Sequence, residues 1–206
     1  NHRFISMRIR FTAHAFLPIF LILIVAQTCR AQELKSLEDF AQRYQNLQKL
    51  PTDEARLAES KSMTLALVDY WEKEPFQSAA CAPFKNVLGF AEAGSGEDHI
   101  AVISWNVETS KQRQVYGGVV VYTSSKGEQL VDPLRFKKAT SLRPTLDTKS
   151  RYTSKEWPGA VYYKALIRYQ GNRPVYTLLG WDGADNIRTR KIVETLMVSG
   201  NKLKFG

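Results

Sequence analysis

The chain has 206 residues, 44% hydrophobic and 24% charged, a balance that excludes an intrinsically disordered polymer and allows one domain with its own core. Its formal net charge is +9, and its two cysteines, Cys29 and Cys81, are too few for a disulfide scaffold.

Residues 11–26 (FTAHAFLPIFLILIVA) form a nearly uncharged run behind Arg8 and Arg10, followed closely by the small-residue exit Cys29-Arg30-Ala31. A basic start, an apolar middle and an A-x-A-like exit together read as a secretory signal. Met7 is the expected start, with residues 1–6 upstream of it, so that 1–31 are leader and 32–206 one mature domain. The run is shorter than the ~20 residues that span a bilayer and contains Pro18, so no permanent membrane anchor is expected. A retained anchor is the alternative. A lipid-attachment box fails, because Ala26-Gln27-Thr28 stand where an aliphatic residue and a small residue are required before Cys29.

The leader carries Arg3, Arg8, Arg10 and Arg30 and no acid, so removing it takes the net charge from +9 to +5. That weakens any argument from charge to nucleic acid, and no nucleic-acid partner is expected. Only Cys81 remains, which rules out an internal disulfide. A buried small hydrophobe is the simplest reading of it; an intermolecular bridge or a reactive thiol is the other.

Ser36 and Asp39 make a capping-box pattern ahead of a helix over 37–50, with Leu37, Phe40, Ala41, Tyr44 and Leu47 recurring at three and four. Pro51 ends it. Thr52 caps a second helix reaching Glu74, with Asp53 and Glu54 in its first turn. Leu57, Leu65, Val68 and Trp71 are expected on one side of it, beside Met63, Leu67 and Tyr70. The short link predicts an antiparallel helix pair.

Beyond Pro83 the period becomes two. Strands are expected over 87–91, 100–107 and 115–122, with Gly117-Gly118 marking a bulge or a close backbone approach. Segment 132–159 loses the pattern while gathering Arg135, Lys137, Lys138, Arg143, Lys149, Arg151 and Lys155. Residues 161–169 alternate, with odd positions apolar or aromatic and Lys164 and Arg168 opposite. Gly171-Asn172 turns into a strand over 175–181, making a hairpin. Trp181-Asp182-Gly183 reads as a second turn, and 192–198 with 202–205 as a final pair. The fold class is α+β: an N-terminal antiparallel helix pair packed on a meandering antiparallel sheet of six or seven strands.

Three elements of the C-terminal half stand in order: Trp157-Pro158-Gly159-Ala160-Val161-Tyr162-Tyr163, Tyr176-Thr177-Leu178-Leu179-Gly180-Trp181-Asp182-Gly183, and Lys191-Ile192-Val193-Glu194-Thr195-Leu196, with Phe205-Gly206 at the end. The set resembles a group of uncharacterised secreted proteins of Bacteroidetes-type bacteria, with Pro158 standing where Tyr or Phe is expected. The resemblance implies the same compartment and a single domain, and no activity comes with it.

Chemistry is narrowed by inventory. His99 is the one histidine beyond the leader, which excludes a zinc site built on two or three histidines. A serine triad or a Cys81–His99 dyad would both have to use it, and no G-x-S-x-G accompanies it. Neither G-x-x-x-x-G-K-[ST] nor G-x-G-x-x-G occurs, so no cofactor is expected. Asp182, Asp185 and Asn186 supply oxygens but not the calcium-loop spacing, and a turn is the preferred reading. Trp105, Trp157 and Trp181 form either a sugar-stacking platform or core. The sequence therefore predicts an exported, non-catalytic envelope protein that binds a glycan or an anionic lipid. Trp157, Trp181, Asp182 and Asp185 are the candidate contacts, and the basic segment 135–155 a second surface. A hydrolase using Asp182 or Asp185 as acid or base is the alternative.

Overall fold

The computed structural model describes residues 34–110, 113–137, 151–183 and 189–206. Helix α1 (Leu37–Leu47) starts where Ser36 Oγ accepts a hydrogen bond from the Asp39 N–H at 3.2 Å. It ends three residues short of the expected limit. Helix α2 (Asp53–Lys73) starts likewise, with Thr52 Oγ1 accepting from the Ala55 N–H at 3.1 Å, and folds back so that Glu59 meets Arg43 of α1 at 2.8 Å.

The buried stripe of α2 is Ser60, Met63, Ala66, Leu67 and Trp71, while Leu57 and Leu65 are exposed. This corrects the expected apolar side. A serine sits in the stripe because its hydroxyl accepts the Trp105 indole N–H at 2.9 Å, so a small polar residue is what the interface needs.

Asp53 has a second duty. Its carboxylate accepts from the Ser110 N–H and hydroxyl, at 2.9 and 2.7 Å, and pairs with Arg56. Those bonds, led by the Ser110 hydroxyl, bring its pKa down to about 2. A carboxylate depressed on folding stabilises above its unfolded pKa, and that help is lost as pH falls through the folded value. Thermal melts should therefore decline between about pH 4 and pH 2, and Asp53→Asn should lack that part of the decline.

A 3-10 segment (Ser78–Phe84) leads into the first antiparallel sheet: β1 (Gly89–Ala93), β2 (Ile100–Glu108), β3 (Gln114–Thr123) and β4 (Gln129–Pro133), in that spatial order. The second is β5 (Val161–Gln170), β6 (Arg173–Asp182), β7 (Arg190–Ser199) and β8 (Lys202–Phe205), also in order. The expected single sheet of six or seven strands is thus two sheets of four, and the strand at Gln129–Pro133 lies outside the ranges expected from the sequence.

The first sheet is buried on both faces. Ala101, Ile103, Trp105, Val107, Val119 and Val121 pack with the helices, whereas Ile100, Val102, Val120 and Tyr122 pack with the second sheet. The result is three layers: helices, sheet, sheet. Gly117 lies opposite Trp105 with pairing unbroken, and a Cβ there would come within 2.7 Å of the indole. The glycine pair is thus a close approach rather than a bulge.

At the junction of the sheets, fully buried Ser104 accepts a hydrogen bond from the Tyr162 N–H at 2.8 Å. The described ends of the basic segment are tied down: Phe136 bridges Trp157, Tyr152 bridges Phe205, and Lys137 pairs with Glu156 at 2.7 Å. Its middle lies outside the described residues. Among those described, no helix is long and apolar enough to cross a membrane.

Candidate functional site

Strand β6 separates the candidate residues by parity. Its even positions, Tyr176, Leu178, Gly180 and Asp182, face the first sheet; its odd positions, among them Leu179 and Trp181, face the other way. Trp181 and Asp182 are the last two residues of the strand, not the expected turn.

The inward residues join an aromatic–carboxylate network. Tyr116 donates its hydroxyl proton to Asp182 Oδ1 at 2.7 Å and accepts the Gly183 N–H at 2.9 Å. Trp157 Nε1–H donates to the Tyr162 hydroxyl at 3.0 Å, and that hydroxyl donates to Glu194. Trp105 and Trp157 have no exposed surface, and Asp182 is 4% exposed. The three-indole platform is therefore corrected: an indole closed to solvent cannot stack on an arriving sugar, and Trp157 is a core residue. Asp185 lies outside the described residues. Trp157, Gly159, Tyr162, Gly180, Asp182 and Glu194, drawn from three separate stretches of the C-terminal half, all contribute to the inner layer.

A second cluster surrounds His99. Glu92 lies between the two other groups: its Oε1 is 2.9 Å from His99 Nε2, and its other oxygen accepts the Ser78 hydroxyl. The imidazole packs on Phe76, with centroids 4.7 Å apart. A triad needs histidine on the serine and carboxylate on the histidine. Here the carboxylate holds both, so the histidine contact that would deprotonate Ser78 is not formed.

Cys81 is fully buried, and burial pushes its thiol up to about 12. Iodoacetamide at pH 8 should leave Cys81 intact in the folded chain and alkylate it within minutes in denaturant, read by peptide mass mapping. Alkylation of folded protein at the denatured rate would refute that burial. Among the described residues, no group of three or more His, Cys, Asp or Glu could hold a metal ion.

The outward face of the second sheet differs in kind. Lys164 and Arg168 on β5, Arg173 on β6, Lys191 on β7, and Lys202 and Lys204 on β8 all project from it, and its strand positions hold no carboxylate. Between them stand Leu166, 47% exposed, and Val193, 72% exposed, with partly exposed Leu179 and Trp181. Lys191 Nζ lies 5.2 Å from the ring centre of Tyr163, a half-exposed residue at the register shift of β5. That shift turns Tyr162 inward and Tyr163 outward, correcting the expectation that odd positions of this strand form one face throughout.

The segment 135–155 is the densest run of cations in the sequence, whereas those of the sheet are spread over four strands. The alternation Lys202-x-Lys204 and the spacing Lys164 to Arg168 are the signals that would have found them. The fold and this face together define a helix-covered, two-sheet α+β domain presenting a cationic and apolar surface. Compared with protein-family models, curated proteins and solved structures, the chain matches none.

Proposed function

We propose that the chain is an exported, non-catalytic binding protein of the cell envelope, and that it binds through the outward face of the second sheet. The observation that carries this reading is the composition of that face, with cations, half-exposed aliphatic side chains and one partly exposed indole, and no acid among its strand positions. Cations left without carboxylates repel one another, and exposed apolar side chains cost hydration free energy; an anionic ligand with an apolar part relieves both. Export is supported by the leader pattern, and the other constellations are engaged in internal bonds.

Of the four tryptophans, Trp71, Trp105 and Trp157 are at most 1% exposed, so a change in emission on binding reports Trp181. Titration with lipopolysaccharide, an acidic polysaccharide and anionic lipid vesicles should shift that emission for at least one ligand, and Trp181→Phe should abolish the shift. Silence with all three would overturn the reading.

The rival is a carboxylate hydrolase, favoured by the presence of Asp182 and Glu194 on one inward face. It requires a substrate on which turnover is first seen and then lost in Asp182→Asn.

A further inference from the structure

We infer that the outward face of β5–β8 is a docking surface for an anionic phospholipid bilayer, lying flat on the headgroups with Trp181, Leu166 and Val193 toward the acyl boundary. This rests on the reading of that face as the binding surface and commits it to one occupant. The first argument is layout. Register places Lys164 beside Leu179 and Leu179 beside Val193, then Trp181 beside Lys191, and Met197 beside Lys204. Charge and apolar surface are thus interleaved across a sheet about 15 Å wide and, along its three ten-residue strands, about 30 Å long, from strand spacing and rise.

Cations converging on a point suit a single anion, held in a fork of guanidinium groups. Here they are dispersed, mostly lysine, on an open face. That suits a laterally extended array of phosphates, where each ammonium meets a separate headgroup.

The second argument is the apolar component. Aliphatic side chains set among flexible lysine stems, with an indole at one end, match an interface whose outer part is charged and whose inner part is hydrocarbon. A polysaccharide offers charge without that inner layer. A protein partner is disfavoured by the same pattern, since the centres of protein interfaces are depleted in charged residues.

The third argument is rigidity. Four hydrogen-bonded strands hold these side chains in register, with the aromatic network behind them, so little ordering cost falls due on docking.

The experiment uses the full chain and vesicles in which part of the lipid carries brominated acyl chains that quench nearby indoles. On vesicles about one-third phosphatidylglycerol the emission of Trp181 should be quenched, while pure phosphatidylcholine gives little quenching and added salt weakens it. The leader is the same in every variant compared, so its own affinity for lipid cancels from the difference between the two doubles.

Lys164→Glu with Lys191→Glu should weaken the association on the order of a hundredfold. Lys61→Glu with Lys126→Glu, the same charge change away from the face, should weaken it much less. Both doubles change exposed residues, and unchanged thermal melts would show that they fold. Equal quenching on neutral vesicles, or an equal loss in the two doubles, would overturn the proposal. Association with an acidic polysaccharide that needs Lys164 and Lys191, with no vesicle quenching, would overturn the lipid surface and leave the binding face standing. Indifference to both would overturn the two together.

Discussion

Gly159→Ala should lower stability by about 2–5 kcal/mol, among the largest effects available from adding a single methyl group. Two independent costs fall on the same carbon. Gly159 has φ +87°, where an L-residue loses about 1–2 kcal/mol to its own backbone. A Cβ there would also strike the Tyr116 ring and come to 2.7 Å from Phe136. Tyr116 cannot retreat without breaking its bonds to Asp182 and to the Gly183 N–H, and it packs edge-on against Trp157.

Gly171→Ala is the comparison. Gly171 has φ +61°, but a Cβ there meets nothing within 4 Å, so only the backbone cost of about 1 kcal/mol applies. For a domain of this size each kcal/mol is worth about 2–4 °C of Tm, so the two variants should separate by several degrees or more. Equal melting temperatures would show that contact with Tyr116 adds nothing.

The contrast between the two glycines indicates what a single sequence can show. Gly171-Asn172 was legible as a hairpin turn because turn chemistry is local, and β5 and β6 followed from it. Pro158-Gly159 carries the local signal for a positive φ, but the contact with Tyr116, which is distant in the chain, leaves no trace in the sequence. The same division runs through the fold. Both α-helices were legible from caps and from Pro51, which depend on neighbouring residues.

The split into two sheets was not legible. Strands β2 and β3 are buried on both faces, so Ile100 to Ile103 and Val119 to Val121 are continuous apolar runs in which alternation carries no direction. Nothing in such a run says that Ile103 will face helices and Val102 a second sheet. Strand β4 was hidden for another reason: it is short, ends in Pro133 and lies at a sheet edge, where pattern and propensity are weakest. The candidate site was half legible. Trp181, named from the sequence, lies partly exposed on the outward face, but the register shift at Tyr163 and the burial of Trp157 depend on cross-strand partners. The cations of the face become a group only when four strands are laid side by side.

Trp157→Ala should lower stability by about 3–5 kcal/mol, chiefly through the cavity left by a fully buried indole. The Tyr162 hydroxyl would also lose its donor, while still donating to Glu194. The urea midpoint should fall with the m-value unchanged, because the loss is of packing and not of exposed surface on unfolding. Trp157→Phe should recover part of the loss by refilling the volume without the N–H.

Trp181→Ala provides the discriminating contrast. This indole is partly exposed and leans over Gly183, so its removal should cost only about 1 kcal/mol. It should nonetheless remove the fluorescence response to ligand that Trp157→Phe retains. Strand β6 would then serve two ends at once, its even residues closing the core and its odd residues meeting the ligand. A Trp181→Ala variant as unstable as Trp157→Ala would place both indoles in the core and leave the outward face without its aromatic anchor.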